Sequence, residues 1–315
     1  MHRSILQLQK RGMRMEFGNY LYEPKKVEGF DFDVYRLKPE TGRRGKPQSA
    51  MWNNIAVFGD NVSGRAHPDW VSESKRGRAV RGNNQYNLHW DILCPTVPEF
   101  REEQLNYIEN TVEETNQPIF LNSWHFADHG HCTCDRCNKL WKESGLDWFE
   151  WRKKIITEFI KDVKDRVKTK LVIAVLPDPA NADQRFGMDY KALYELGDAF
   201  NIVMFSQNYA TSWYWEMIAR AFRRIFPEKP VYSNLYVCGP GDDPRNCPPI
   251  EQLIRVSVRV MRTGIDGIIY LADVADNMRK FQKAVTTKGE YRDSLSDYGG
   301  QGALDLFNRW DKIVK

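Results

Sequence analysis

Three cysteines lie within six residues of one another in the segment CTCDRC, at Cys132, Cys134 and Cys137. Thiolates at this C-x-C-x-x-C spacing can converge on one tetrahedral ion, and zinc(II) suits four soft ligands. The candidates for a fourth ligand are Cys94, His129 and His131. A site made of four thiolates leaves no coordination position for water, so we expect a structural zinc ion rather than a catalytic one.

The six cysteines of the chain are unevenly placed, with half of them in that cluster. Cys238 and Cys247 follow a different strand and are expected to be ordinary buried thiols or a pair. This distribution is unlike a disulfide framework and suits a reducing compartment. Because no apolar run approaches the ~20 residues that span a bilayer, we predict a cytoplasmic protein with no membrane partner.

The charge balance argues against nucleic acid as a partner. Lysine and arginine total 46 against 42 acidic residues, and the formal net charge of +4 is too small and too evenly spread for a nucleic-acid surface. The chain is rich in aromatic residues, with 10 Trp, 14 Tyr and 16 Phe. Most of them will fill the core, and a few suit a groove in which ligand rings stack.

The elements that must position these groups repeat as helix and then strand from residue 99 onward. For example, WFEWRKKIITEFIKDVKDRV has helical spacing and leads to the apolar run KLVIAVLPD. Apolar residues on both faces are typical of parallel strands covered by helices. The seven strand candidates lie near 13–17, 52–58, 118–124, 170–176, 201–206, 230–236 and 267–271.

This alternation over 315 residues predicts an α/β fold of the (β/α)8 TIM barrel type, as a single domain over residues 1–315. Only seven strands are clear, and the chain opens on what resembles the helix after a missing first strand. We therefore expect a barrel that is incomplete or atypical at its N-terminus, with FDFDVYRL contributing out of order as one alternative. An unclosed barrel would have a free edge, and pairing in a homo-oligomer is one way to cover it.

In such barrels, functional groups lie at the carboxyl ends of the strands. Polar and aromatic residues at or just after these ends are the candidates for ligand contact. They are Asp60, Asn122, Trp124, His125, Gln207, Tyr209, Trp213 and Tyr236. This convergence of polar groups predicts a site for a polar ligand, although loops are polar in any case.

The segment ILCPTVPEFRE, followed by CTCDRC 38 residues after Cys94, resembles the zinc-containing microbial β-galactosidases, which are (β/α)8 retaining glycosidases. Together with HPDW at 67–70, it also resembles a wider set of uncharacterised glycosidase-like barrels, some related to α-glucuronidases. The resemblance implies a carbohydrate substrate and a zinc-clip loop at about 125–140. It also implies that Cys94, Cys132, Cys134 and Cys137 bind the zinc ion.

The sequence departs from those β-galactosidases at the catalytic positions. The family has an Asn-Glu pair at the end of this strand, and the Glu is the general acid/base. This chain has Asn122 and Ser123 there, and serine cannot protonate a glycosidic oxygen at neutral pH. VYSNLYV also lacks a glutamate where the nucleophile is expected, so the β-galactosidase mechanism does not transfer.

Glycoside hydrolysis needs two carboxyl groups, ~5 Å apart for retention and ~6.5–9.5 Å apart for inversion. The remaining candidates are aspartates near strand ends. Asp128 is the preferred acid/base because it follows the strand beside two histidines, with a turn at Gly130 as its structural alternative. Asp178 and Asp273 are the candidate catalytic partners.

Three functions remain open. The first is a glycoside hydrolase working through paired aspartates, and the second is a saccharide-binding relative that has lost catalysis, which Ser123 favours. The third is a metal-dependent deacetylase or esterase. Its candidate ligands are His125, Asp128, His129 and His131.

Overall fold

A computed structural model describes residues 14–75, 77–82, 90–128, 130–239 and 247–314. Eight parallel strands form a barrel. They are β1 Glu16–Leu21, β2 Phe32–Lys38, β3 Trp52–Ala56, β6 Ile119–Asn122, β7 Leu171–Val175, β8 Ala199–Met204, β9 Val231–Tyr236 and β10 Gly267–Ala272. The barrel is closed, with the strands in the order β1-β10-β9-β8-β7-β6-β3-β2. The two-residue strands β4 (Glu73–Ser74) and β5 (Gly77–Arg78) form a small antiparallel pair outside the barrel. The predicted (β/α)8 fold is confirmed.

The expectation of an incomplete barrel was wrong, because the eighth strand is β2. It lies in sequence order between β1 and β3, with Val34 opposite both Tyr20 and Trp52. The connections before and after it, residues 22–31 and 39–51, contain no helix, so the helix-strand rhythm of the rest of the chain does not reveal it. Closure leaves the main sheet without a free edge, which removes the stated reason for pairing between chains.

Helices surround the barrel from β3 onward. They are Asn61–Ala66, Pro98–Thr115, Asp135–Ser144, Trp148–Arg166, Ala182–Phe186, Tyr190–Leu196, Ser212–Ile225, Ile250–Met261, Ala275–Thr287 and Gly289–Val314, with a 3-10 turn at Pro68–Trp70. The last helix covers the helix-free connection after β1. Its Trp310 ring lies 5.3 Å from that of Phe30, and its indole N–H donates to the Gly29 carbonyl over 3.1 Å.

Alternate residues of each strand point into the barrel or out towards the helices. The inward set includes Val34, Phe120, Val172 and Ile269, which pack together in the barrel interior. The outward set joins the helices in one large apolar cluster, so both strand faces are buried, as the apolar runs predicted.

Cys238 and Cys247 form a disulfide, which confirms the pair that the sequence left open. Disulfides are uncommon in reducing compartments, so this bond argues against the cytoplasmic location, which stays a prediction. None of the helices in the described part of the chain combines the length and apolar character needed to span a bilayer.

Candidate functional site

A cavity of about 680 Å³ opens at the carboxyl ends of the barrel strands. Its wall includes four of the predicted ligand contacts. These are Asn122, His125, Gln207 and Tyr236. The volume lies within the roughly 300–1,000 Å³ of small-molecule sites, and the position is the one that barrel folds use for function.

Glu40, just after β2, is the carboxylate on this cavity wall, and its residue is 2% exposed. Its Oε1 accepts hydrogen bonds from Asn122 Nδ2 and Ser123 Oγ, each over 2.8 Å, and its Oε2 pairs with the buried guanidinium of Arg36. Burial by itself raises the pKa of Glu40. The Arg36 charge and the hydrogen bonds outweigh burial and bring the pKa below its usual value. Glu40 is therefore ionised at neutral pH.

The close packing around Glu40 depends on a glycine and on an unusual backbone. A Cβ at Gly59 would lie 2.7 Å from Glu40 Cγ and 3.2 Å from Ser123 Cβ, so a larger residue would displace the pair. Ser123 has a φ of 49°, in the left-handed region that non-glycine residues rarely adopt. This conformation turns the hydroxyl of Ser123 to the carboxylate, and strained backbone of this kind is concentrated at functional sites.

His125 and a pair of stacked rings provide the rest of the wall. Burial lowers the pKa of His125, so the imidazole is neutral at neutral pH. With Nδ1 donating to the Phe126 carbonyl over 2.7 Å, Nε2 is left as an acceptor. Phe205 and Tyr236 stack with ring centroids 4.4 Å apart and an interplanar angle of 6°. Together they present apolar area beside polar groups, the combination typical of small-molecule sites.

The two predicted catalytic aspartates Asp128 and Asp178 do come together, but through an arginine. Arg185 Nε lies 3.2 Å and 3.1 Å from the two carboxylate oxygens of Asp128, and its Nη1 lies 2.7 Å from Asp178 Oδ2. Partial burial raises the pKa of Asp178, but hydrogen bonds from Arg185 and from backbone amides lower it below its ordinary value. Asp178 is therefore ionised at neutral pH, and Asp128 is bound to the same guanidinium.

The third predicted catalytic residue, Asp273, has a local structural role. Its Oδ1 accepts from the Val274 amide over 2.9 Å and from Asn277 Nδ2 over 2.8 Å, at the start of the helix Ala275–Thr287. Asp60 is likewise engaged, since Oδ1 caps the helix Asn61–Ala66 and Oδ2 lies 3.0 Å from the buried Lys38 Nζ.

Three predicted aromatic contacts lie elsewhere. Trp124 is fully buried and donates to the Ala174 carbonyl over 2.7 Å. The hydroxyl of Tyr209, also buried, donates to the Met204 carbonyl and accepts from the Tyr236 amide. Trp213 is 58% exposed and lies beside Met217 on the helix Ser212–Ile225. Tyr209 thus supports Tyr236 from behind rather than contacting the cavity directly.

The cysteine cluster assembles with Cys94 as its fourth member. The sulfurs of Cys94, Cys132, Cys134 and Cys137 all lie within 4.8 Å of one another. A tetrahedral ion with metal–sulfur bonds of about 2.3 Å requires sulfurs about 3.8 Å apart, which these positions allow. The Glu73 amide donates to Cys132 Sγ over 3.2 Å, the kind of outer contact that orients a ligating thiolate. The cluster can therefore bind a metal ion.

The alternative histidine site does not assemble in the described part of the chain. There, the four cysteines are the only group of three or more His, Cys, Asp or Glu side chains arranged to hold an ion. His131 instead forms a 2.6 Å hydrogen bond from Nδ1 to the Asp128 carbonyl. His129 lies outside the described residues.

Sequence reasoning missed the charged pair at the centre of the site. Arg36 and Lys38 lie at the end of β2 and Glu40 lies two residues after it, in a segment that the sequence had placed in the barrel only as an alternative and out of order. The available signal was the unusual charge of RLKPE at the end of a strand-like run. Once β2 is placed beside β3, this charge falls at the mouth of the barrel.

Comparison with known proteins finds fold neighbours only. No family model and no curated protein matches the sequence. Similar solved structures include α-L-fucosidase isoenzyme 2 from Paenibacillus thiaminolyticus, at 10% identity and a TM-score of 0.61, over 96% of this chain and 49% of the fucosidase. A β-galactosidase from the psychrophilic Marinomonas ef1 matches at 10% identity and a TM-score of 0.54, over 93% of this chain and 65% of that one. An inactive mutant of a GH20 exo-β-N-acetylglucosaminidase from Vibrio harveyi matches at 12% identity and a TM-score of 0.51, over 94% of this chain and 58% of that one.

These similarities confirm the resemblance to glycosidase barrels at the level of the fold. At such low identity they transfer no catalytic residue to this chain. The chain also spans only about half the length of the fucosidase.

Proposed function

We propose that this protein is a glycoside hydrolase that binds a saccharide in the cavity at the mouth of its barrel. The observation that carries the proposal is Glu40, an ionised carboxylate on the cavity wall held by Arg36, Asn122 and Ser123. The glycosidases with similar folds support the class of reaction.

Glu40 has the properties of a nucleophile or of a charge that stabilises an oxocarbenium ion. In the nucleophilic route, a carboxylate oxygen of Glu40 bonds to the anomeric carbon while the glycosidic C–O bond breaks. The bonding electrons go to the leaving oxygen, which accepts a proton from an acid, and water then cleaves the glycosyl ester. A lowered pKa suits this role, because the attacking group must be ionised.

The proton donor would come from the predicted aspartate pair. Asp128 and Asp178 remain our candidates for this role, and both are bound to Arg185. A general acid must be protonated, so Arg185 has to release one of them when the saccharide binds. Phe205 and Tyr236 would provide the apolar platform, and His125, Gln207 and Asn122 would contact hydroxyl groups.

The test is a panel of aryl glycosides of both anomeric configurations, assayed with the intact protein and with Glu40→Gln and Glu40→Ala. The Gln variant should lose at least about 100-fold in kcat/KM. Added azide should restore turnover to the Ala variant with a glycosyl azide as product, because a small anion can replace a missing carboxylate nucleophile. Glu103→Gln is the matched control, since Glu103 is an exposed glutamate paired with Arg44 on the protein surface. Full activity in Glu40→Gln would refute the assignment of Glu40.

The second candidate is a saccharide-binding protein without hydrolysis. Two observations favour it: Arg185 pairs with both aspartates, and Ser123 occupies the position of the acid/base glutamate in the β-galactosidases that the sequence resembles. This candidate predicts no turnover on any glycoside of the panel. Calorimetry would still detect saccharide binding, and the binding would weaken in Glu40→Gln.

We also propose that the four cysteines hold a structural zinc(II) ion. Four thiolates favour zinc among the common metals and leave no position for a reacting water. The ion would join two segments that line the cavity, since Cys94 follows Ile92 and the C-x-C-x-x-C follows His125. Its contribution would be to fix this wall, and metal analysis of the purified protein tests it directly.

A further inference from the structure

Three asparagines face the barrel interior on β3, β8 and β9, next to residues that line the cavity. Asn201 precedes the cavity residues Val203 and Phe205 on the inward face of β8, and Asn234 precedes Tyr236 on β9. Asn54 is inward on β3, directly opposite Arg36 in the β2–β3 register. All three side chains are fully buried. Barrel interiors are commonly filled by branched apolar residues, so a group of amides in this position requires a reason.

The amides of Asn201 and Asn234 have no hydrogen-bond partner among the described residues, at either Oδ1 or Nδ2. Asn54 uses Nδ2 to donate to the Phe120 carbonyl over 3.0 Å, and its Oδ1 is unpartnered. Buried polar groups are nearly always hydrogen-bonded to protein or to ordered water, because leaving them unpaired is costly.

Two further groups, on the neighbouring strands β1 and β2, add unpartnered donors. Arg36 binds Glu40 through Nη2, while its Nε and Nη1 have no partner within the described chain. The hydroxyl of Tyr20, whose ring lies 5.8 Å from Arg36 Cζ, is also unpartnered. The unpartnered atoms therefore include N–H and O–H donors as well as amide oxygen acceptors.

This mixture of atoms specifies the ligand. A cation is disfavoured by the adjacent Arg36 guanidinium, and an anion is disfavoured by three amide oxygens. A small neutral molecule that both donates and accepts satisfies every one of these groups, and water is that molecule.

We propose that ordered water molecules bind inside the barrel between Asn54, Asn201 and Asn234 and complete the hydrogen bonds of Arg36. The site has a consequence for the cavity above it. A buried ion pair is stable only when its remaining donors and acceptors are satisfied, so these waters solvate the Arg36–Glu40 pair from below. Removing them leaves Arg36 with unpaired N–H groups.

A high-resolution crystal structure of the intact protein is the first test. We expect water density within hydrogen-bonding distance of the Asn201 and Asn234 amides and of Arg36 Nε. A dry interior, or side chains rearranged so that the amides pair with one another, overturns the proposal. This result does not depend on whether the protein hydrolyses a glycoside.

The second test compares thermal midpoints of Asn201→Leu and Asn234→Leu, since leucine has nearly the same shape as asparagine. If water is bound, leucine displaces it and leaves the neighbouring polar groups unpaired, so both midpoints fall. If the interior is dry, leucine removes an unsatisfied amide and the midpoint rises. A raised or unchanged midpoint overturns the proposal.

Asn53→Leu is the matched control. Asn53 is also a fully buried β3 asparagine, but its side chain bonds to protein, with Oδ1 accepting from the Gln48 amide and Nδ2 donating to the Gln48 carbonyl, each over 3.0 Å. The thermal midpoint of Asn53→Leu should fall whether or not water is bound in the barrel. Its decrease measures the cost of losing an amide that is hydrogen-bonded to protein.

Discussion

The hydroxyl of Ser123 donates to Oε1 of Glu40 over 2.8 Å, although the two residues are 83 positions apart in the chain. The bond joins the end of β6 to the end of β2, across β3. In the β-galactosidases that the sequence resembles, a glutamate occupies the position of Ser123. Here the serine instead orients Glu40, which follows β2. A negative charge therefore still lies at the mouth of the barrel, but it comes from a different strand.

Replacing Ser123 with alanine should weaken saccharide binding without unfolding the protein. The change removes one of three groups that hold Glu40, and a hydrogen bond to a charged group contributes about 1.5–3 kcal/mol. We expect a loss of roughly tenfold or more in affinity by calorimetry. Ser144→Ala, on the helix Asp135–Ser144, is the control and should bind normally. Equal affinity of both variants would mean that Ser123 does not position Glu40.

The stability of the protein should fall in acid partly through Glu40. Its pKa in the folded protein is below that of the unfolded chain, which is about 4.3. The carboxylate therefore contributes stability that is fully present above that value and is lost as the pH falls towards the folded pKa. Urea titrations from about pH 6 to 3 should show a smaller pH dependence for Glu40→Gln than for the intact protein. The same pH dependence of stability in Glu40→Gln and in the intact protein would contradict a lowered pKa for Glu40.

The buried ion pair of Lys38 and Asp60 should be costly to break. Both side chains are at most 1% exposed, and Lys38 Nζ also donates to the Ala56 carbonyl over 2.7 Å. Lys38→Met leaves a buried carboxylate without its partner and should destabilise by about 3–5 kcal/mol in denaturant titration. The double variant Lys38→Met/Asp60→Asn should recover part of that loss. Additive losses in the double variant would show that the two charges are not coupled.

Gly59→Ala should impair the site more than the fold. The new methyl group would lie 2.7 Å from Glu40 Cγ, so the Glu40 side chain must move from its position between Arg36 and Ser123. We expect loss of saccharide binding with a midpoint shift of only a few degrees, about that of a 1 kcal/mol change. Gly289→Ala is the control, because its added Cβ meets no atom within 4 Å. Unchanged saccharide binding in Gly59→Ala would show that Glu40 is not part of the binding site.

Metal removal should loosen the cavity wall. Cys137→Ser takes away one of four ligands, so the bound metal should fall from one ion per chain towards none, with a lower thermal midpoint. Cys247→Ser is the control, since Cys247 lies in the disulfide and should leave the metal content unchanged. Elemental analysis measures the metal content of both purified variants. Retention of a full equivalent of metal by Cys137→Ser would contradict a four-cysteine site.

The repeated helix-strand pattern and the cysteine spacing were sufficient to predict the barrel and the metal-binding cluster. Apolar runs with both faces buried identify parallel strands locally, and three thiols in six residues must lie near one another in any fold. Cys94 was one of three candidate fourth ligands and the one that the resemblance implied, and the structure brings it to the other three. The segment FDFDVYRL, which contains β2, was considered only as a strand out of order, because no helix flanks it.

The chemical centre of the cavity was decided by tertiary structure alone. Sequence shows that Glu40 and Asp128 are both carboxylates near strand ends, but it does not show which cation each will meet. Parallel pairing of β2, β3 and β6 brings Asn122 and Ser123 to Glu40, which lies only four residues after Arg36. The helix Ala182–Phe186 brings Arg185 to Asp128 and Asp178. Since the ionisation of a buried carboxylate depends on its nearest charges and donors, the role of Glu40 depends on Asn122 and Ser123, which are distant in the chain, as well as on the nearby Arg36.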